Sequence, residues 1–396
     1  MTGDKRILRC VDPYDNHNKE YIMERSKGVI RVRYGRVGRT YQSHTYNDSY
    51  EKWEELYQSK LDKGYKDVTD NYSNSVAAAV DTGDPTVDRL IDKLLSWSNS
   101  YVKRYTSVST LNQDAIDEGQ ALINRLVQCM TKSHGVSEFN AILPKLFTII
   151  PRSTLNVYSL LANSSDDYAA IITREQDILD AISANAGTIV NDKNKIDLTG
   201  YNFRSCSDKE LAMIKDHLDP NTRLHFSTAV HVECEDSRKR YEEYKRQHSI
   251  KKEMFLYHGS RNENYWSIVR NGLMLRPTTN VSRSGSMFGH GLYFANKARK
   301  SAGYTSLSGS FWANGSSPDA ALLLFKVATG KSKNLYSFNS VVSRWKEADC
   351  RKAGYDSVYA HASNNPSLHS GRLYNDEIIV YNDNACTLSY IIYLKG

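Results

Sequence analysis

The spacing of apolar positions changes period twice along the chain. Up to about residue 70, short runs alternate between apolar and polar residues: ILRCVDP, KEYIMER, GVIRVRYGRVG and RTYQSHTY. A period of two with β-branched and aromatic residues predicts strands, and turn pairs at Asp15-Asn16, Lys27-Gly28 and Val37-Gly38 separate them. NDSYEKWEELYQSKLDKGY then predicts a helix. Its N-cap is Asn47 or Ser49, its buried stripe is Tyr50, Trp53 and Leu56 or Tyr57, and Gly64 stops it. Residues 71–84 read as a small, polar linker. From Pro85 to about Ala186 the period is helical. VDRLIDKLLSWS sets Val87, Leu90, Ile91, Leu94 and Leu95 on one face behind a first-turn proline. LNQDAIDEGQALINRLVQCM gives a second helix, with Ile116, Leu122, Ile123, Leu126 and Val127 inward. FNAILPKLFTIIP, with Pro144 near its start or at a kink and Pro151 at its end, gives a third, and DYAAIITREQDILDAISA a fourth. A polar joint at residues 187–208 follows. From about Lys209 short apolar or alternating runs return: HFSTAVHVEC, MFLYHGS, GLYFA, ALLLFKVATG, DSVYA, EIIVYN and LSYIIYLK. Between them SRKRYEEYKRQHSIKK reads as an exposed, charged stretch, and Glu263 to Arg270 as a short helix closed by Gly272.

A chain of 396 residues has room for two or three domains. No stretch approaches the eighteen or so apolar residues of a membrane span, so no membrane partner is expected. The start, MTGDKRILRC, lacks the apolar core of a secretory signal. The six cysteines are scattered and form no CxxC pair. That argues against zinc fingers and a disulfide framework, predicts no metal, and fits a reducing compartment. The net charge of +7 permits nucleic-acid binding without requiring it. Between Arg25 and Arg39 every charge is positive, and Arg31 and Arg33 alternate with Ile30, Val32 and Tyr34. That strand has either an ordinary solvated face or a phosphate-contacting one.

The candidate chemistry lies between Phe255 and Tyr304. Glycines at turns (Gly259, Gly289, Gly291) sit among aromatics (Tyr257, Tyr293, Phe294, Tyr304), with His258, Ser260 and Ser301 close by. This mixture suits a flat, polar-edged ligand held between aromatic faces. Other nucleotide motifs fail. No GxGxxG follows a strand, and GxSxG is absent. Gly330-Lys331-Ser332 ends like a P-loop, but Phe325 stands where the first glycine is needed.

FLYHGSRNENYWSIVRNGL, MFGHGLYFANKARKSAGY and LYNDEIIVYN resemble, in order, the signature segments of the ADP-ribosyltransferase catalytic domain of the poly(ADP-ribose) polymerase family. The resemblance covers about residues 209–396. Arg33-Tyr34-Gly35-Arg36-Val37-Gly38 resembles the WGR domain of the DNA-dependent members, with Tyr34 where that domain has tryptophan. FNAILPKLFTIIPR is similar to a helix of their helical regulatory domain. The implied fold is multidomain α+β, of the short type without zinc fingers. It has a β-rich WGR-like DNA-binding domain at 1–75, a helical regulatory bundle at 84–190, and an α/β transferase domain with two antiparallel sheets at 200–396.

The resemblance also implies roles. NAD+ is the substrate. Gly259 and Ser301 hold the nicotinamide amide, and Tyr304 stacks on its ring with Tyr293 on the other side. His258 bonds the adenosine ribose, Ser260 lies beside it, and Glu377 is the catalytic glutamate with Lys300 assisting. His258, Tyr293 and Glu377 form the triad associated with polymer formation. Met274 replaces an arginine near the adenine and His290 replaces a lysine; Arg276 and Arg283 stand ready to compensate. Arg31, Arg33, Tyr34, Gly35, Arg36 and Arg39 are the implied DNA contacts. The implied partners are DNA strand breaks, protein acceptors including the chain itself, and an accessory factor that completes the site, in the nucleus. Transfer of single ADP-ribose units, a catalytically silent scaffold and a secreted toxin-type transferase are the competing readings.

Overall fold

The computed structural model describes residues 4–72, 80–108, 110–186, 196–276, 287–362 and 373–396. Arg283, half of the linker at 71–84 and the first part of the joint at 187–208 lie outside them. Contacts divide the chain into two compact units. One is Met1–Val76 with Asn99–Gly187, and the other is Ala77–Ser98 with Thr188–Gly396.

In the first unit, strands β1 (Lys5–Asp12), β2 (His17–Ser26), β3 (Val29–Arg36) and β4 (Gln42–Asn47) precede helix α1 (Tyr50–Leu61) and the short β5 (Lys66–Asp67). The sheet runs β4-β3-β2-β1-β5, antiparallel throughout. Alternation puts Leu8, Tyr21, Met23, Ile30 and Val32 on one face, against Trp53 of α1. Ser49 is the cap of α1 and accepts from the Lys52 amide. Tyr50, expected in the buried stripe, is 69% exposed; Trp53, Leu56, Tyr57 and Leu61 are the residues of α1 that pack on the sheet.

Helices follow: α2 (Pro85–Tyr105), α3 (Gln113–Thr131), α4 (Val136–Asn140), α5 (Leu143–Ile149) and α6 (Tyr168–Ala186). The unit boundary falls inside α2, after Ser98. Within the first unit the helices and the sheet share buried polar bonds. Arg9, almost fully buried, bonds Glu20, Tyr72 and the Thr148 carbonyl. Asn18 donates to the Arg152 carbonyl, and the Arg152 guanidinium pairs with buried Glu175. No helix among the described residues is long and apolar enough to cross a membrane.

The second unit contains β6 (Tyr201–Ser205), α7 (Asp208–His217), α8 (Pro220–Leu224), β7 (Phe226–Cys234), α9 (Glu235–Gln247), β8 (Glu253–His258), α10 (Tyr265–Asn271), β9 (Leu292–Phe294), α11 (Ala298–Ala302), β10 (Asp319–Ala328), β11 (Ser332–Leu335), α12 (Glu347–Lys352), β12 (Ser357–Ala360), β13 (Glu377–Val380) and β14 (Cys386–Lys395). One sheet runs β6-β7-β14-β10-β8 and is antiparallel. The other runs β11-β12-β13-β9. The expectation of two antiparallel sheets needs correction, because β11 and β12 pair in parallel. Parallel neighbours need a crossover, and the segment containing α12 supplies it. The sheets meet at a bridge between Tyr257 and Ala295, whose amides and carbonyls exchange bonds of 2.8 and 3.0 Å.

The N-terminal half of α2 docks here. Lys93 reaches Asp319 at 2.7 Å, the Tyr393 hydroxyl donates to the same carboxylate, and Trp97 lies beside Tyr265 and Tyr393. The charged stretch expected to be exposed is α9. Its two tyrosines, three residues apart, form a narrow buried stripe among charges. Tyr241 donates to Glu253 on β8, and that carboxylate also takes Lys245 at 2.6 Å and Lys326 at 2.9 Å.

Burial alone would raise the Glu253 pKa. The bonds from Lys245, Lys326 and Tyr241 outweigh it and lower the carboxyl from 4.5 to about 2. A depressed folded pKa gives stability that is present above 4.5 and lost as pH falls through about 2. Glu253→Gln should therefore unfold at lower denaturant than the wild type at pH 6. The two midpoints should converge as pH is lowered toward 2, as read by urea titrations across that range.

Candidate active site

The site gathers where β8, β9, α11 and β13 end close together. The ladder of β8 on β10 ends at His258, so Gly259 is the first residue beyond it. There the backbone passes α11 so closely that a Cβ on Gly259 would lie 1.8 Å from the Ser301 carbonyl oxygen. Only glycine fits such an approach. Ser301 is buried, and its hydroxyl donates to the Tyr257 carbonyl at 3.0 Å. With its hydrogen committed, the oxygen keeps lone pairs to accept from an amide. Ser260 is tied in on the other side: its amide donates to the Tyr265 hydroxyl and its Oγ accepts from Asn264.

His258 Nδ1 lies 3.0 Å from the Tyr293 carbonyl. A carbonyl only accepts, so Nδ1 carries a hydrogen. Phe294 and Phe325 meet the imidazole edge-on and hold its plane. Tyr293 pairs with Ile379 in the β9–β13 register, so by alternation its side chain shares a face with Ile379 and Glu377. Its hydroxyl donates to the Gly289 carbonyl at 2.8 Å and accepts from the Phe288 amide at 3.0 Å, which shapes the MFGHG turn.

Glu377 opens β13 and pairs with Lys300 of α11 at 2.5 Å. Burial would lower the Lys300 pKa, but the Glu377 charge and hydrogen bond outweigh it and raise it. The Lys300 ammonium also lies 3.4 Å from the Tyr304 hydroxyl. Tyr304 is partly exposed, and Trp312 stacks on it at 5.9 Å with planes 15° apart. Asp376, beside Glu377, is not a solvated neighbour. It takes Asn296 at 2.7 Å, the Tyr359 hydroxyl at 3.0 Å and the Ala362 amide at 2.7 Å. Neither Trp312 nor this network was singled out from the sequence. The one available signal was the SFW run, two large aromatics in a Gly/Ser-rich loop.

The contacts thus join His258, Gly259, Ser260, Tyr293, Lys300, Ser301, Tyr304 and Glu377 into one site. Met274 lines a cleft of about 210 Å3 with Leu273, Phe325 and Asp383, and its sulfur lies 3.8 Å from Arg276. The His290 amide donates to the Trp345 carbonyl, and burial lowers its imidazole pKa.

The first unit holds the other set. Arg31 and Arg39 are exposed, and Arg33 lies 3.4 Å from Glu24. Tyr34 is on the core face, stacked on Tyr21 at 6.1 Å under Lys60. A Cβ on Gly35 would meet the Tyr41 ring at 2.9 Å. Arg36 donates to the carbonyls of Asn16 and Thr154.

The approach of Gly259 to Ser301 gives a direct test. Gly259→Ala must push α11 away and should lower NAD+ turnover by at least about a hundredfold, since misplacing a site by about 1 Å has that effect. Circular dichroism should stay near that of the wild type, because the added methyl lies past the end of the β8 ladder.

The family model described as the poly(ADP-ribose) polymerase catalytic domain matches residues 209–396. Two proteins of Invertebrate iridescent virus 6 are similar. Uncharacterized protein 101L is 32% identical over 186 residues, covering 46% of this chain and 78% of that one. Putative poly [ADP-ribose] polymerase-like 100L is 33% identical over 146 residues, covering 36% of this chain and 72% of that one. Poly [ADP-ribose] polymerase 1 of Xenopus laevis is 24% identical over 315 residues, covering 72% of this chain and 31% of its own length. The segments that build the site fall inside the matched domain, so the chain belongs to the poly(ADP-ribose) polymerase family and is an NAD+ ADP-ribosyltransferase.

Proposed function

We propose that this transferase builds poly(ADP-ribose) on protein acceptors, itself included, and that DNA strand breaks stimulate it. The observation that carries the polymer reading is the Lys300–Glu377 pair at 2.5 Å, beside Tyr304 and on the same sheet as Tyr293. In this reading the Gly259 main chain and the Ser301 hydroxyl take the nicotinamide amide. Tyr304 stacks on the nicotinamide ring, with Tyr293 across from it. His258 bonds the adenosine ribose through Nε2, with Ser260 beside it. As the glycosidic bond to nicotinamide breaks, positive charge develops on the ribose, and a carboxylate at its hydroxyls stabilises that charge. Glu377 does this, and in elongation it accepts the proton of the attacking hydroxyl. Lys300 holds the carboxylate in place until substrate arrives.

The DNA reading rests on the basic strand β3. Arg31 on that strand and Arg39 in the turn after it are the exposed candidates for phosphate contact, Arg33 lies 3.4 Å from Glu24, and Arg36 is committed to two carbonyls. Tyr34 offers a smaller stacking face than the tryptophan it replaces. Stimulation requires DNA to bind the active conformation better than the inactive one. The site of action is then the compartment that holds genomic DNA, the nucleus in a cell that has one.

Nicotinamide release from NAD+ by the purified chain, with and without nicked or blunt-ended DNA, tests both halves. Stimulation by DNA and a smear of automodified protein are expected. Glu377→Gln should lose polymer and slow release by about a hundredfold. A discrete shift in place of the smear would overturn polymer formation. Equal rates with and without DNA would overturn the switch.

A further inference from the structure

We propose that Trp312 is a positioning residue for nicotinamide, forming the second layer of an aromatic stack whose first layer is Tyr304. The proposal rests on the reading of Tyr304 as the ring that meets nicotinamide.

Trp312 is half-exposed at the tip of a loop, so burying it in a core is not its role. The loop is nevertheless firmly built. Leu307 bridges Ser317, the Ser308 amide donates to the Ser317 carbonyl, and the Gly315 amide donates to Ser310 Oγ at 2.8 Å. The Trp312 and Ala313 amides both donate to the Gly303 carbonyl, at 2.8 and 3.1 Å. Gly303 immediately precedes Tyr304, so these bonds fix the indole against the tyrosine. A Cβ on Gly303 would come 2.9 Å from the indole Cδ1, and glycine at this position lets the ring lie flat.

The planes differ by 15°, a parallel offset stack, and Phe311 meets the indole edge-on at 4.7 Å. The Lys300 ammonium lies 5.3 Å from the Tyr304 centroid and 5.5 Å from that of Trp312, within cation–π range of both. Trp312 thus occupies one face of Tyr304, and the inference assigns the opposite face to the ligand. Two parallel stacked rings hold the tyrosine plane in place for a flat ligand better than one.

The test is calorimetric binding of nicotinamide and, separately, of ADP-ribose to the full chain. Trp312→Ala and Trp312→Leu should weaken nicotinamide about fivefold, the scale of one aromatic stacking contact. Trp312→Phe should stay within about twofold of the wild type, and ADP-ribose should bind all four proteins alike. The matched ADP-ribose affinity shows that the pocket is folded. If Trp312→Ala does not fold, the comparison of Leu with Phe decides. Unchanged nicotinamide binding in the Ala and Leu variants overturns the inference alone. Tighter binding also overturns it, because Trp312 would then be competing for the ligand's place. Equal weakening of both ligands overturns it in favour of a structural role. No nicotinamide binding by the wild type removes the reading of Tyr304 and the inference together.

Discussion

The site of the second unit depends on a main-chain approach, the tightest found at any described glycine. The backbone at Gly259 runs against the Ser301 carbonyl with no room for a single carbon between them. That contact joins the end of β8 to α11, and α11 carries Lys300 and Ser301, with Tyr304 just beyond it. The bridge between Tyr257 and Ala295 ties the same strand end to the second sheet. Through that sheet, Tyr293 and Glu377 are set by register rather than by loops. Residues from four elements hold their geometry because main chains, not side chains, meet at the junction.

A carboxylate, an ammonium and two aromatic rings make a charged centre with little water-like surrounding. Glu377 and Lys300 are both largely buried, and Tyr304 and Trp312 cover the ammonium. A buried pair of this kind adds little to stability, since desolvation offsets the attraction. What it fixes is position: the ammonium holds the carboxylate at the start of β13. The Asp376 network serves the same end, since bonds to Asn296, Tyr359 and Ala362 fix the residue before Glu377.

Much of this was legible in the sequence, for identifiable reasons. Alternation exposed the strands of the first unit, and helical periodicity exposed α2, α3 and α6. The residues that the second unit brings together were legible as a set, because their order and spacing resemble a known domain. What stayed hidden depends on partners distant in the chain. α9 looked solvent-exposed because charges outnumber the two tyrosines that bury it. The direction of β11 against β12 is decided by a crossover and leaves no mark in a four-residue run. Tyr50 satisfies the helical pattern but opens the first turn and is left exposed. Arg36 looked like its basic neighbours until the carbonyls of Asn16 and Thr154 came beside it.

The crossover between β11 and β12 has a kinetic consequence. Its residue Trp345 presents the carbonyl that receives the His290 amide and abuts Gly289, so the MFGHG turn is moulded by a segment far along the chain. The two strands it joins pair residues only 25 apart, whereas β14 pairs with β10 and β7 across 59 to 168 residues. Pairs far apart in sequence form slowly. The crossover is therefore the local event, and the antiparallel sheet around β10 is the slow one that locks the strand ends together.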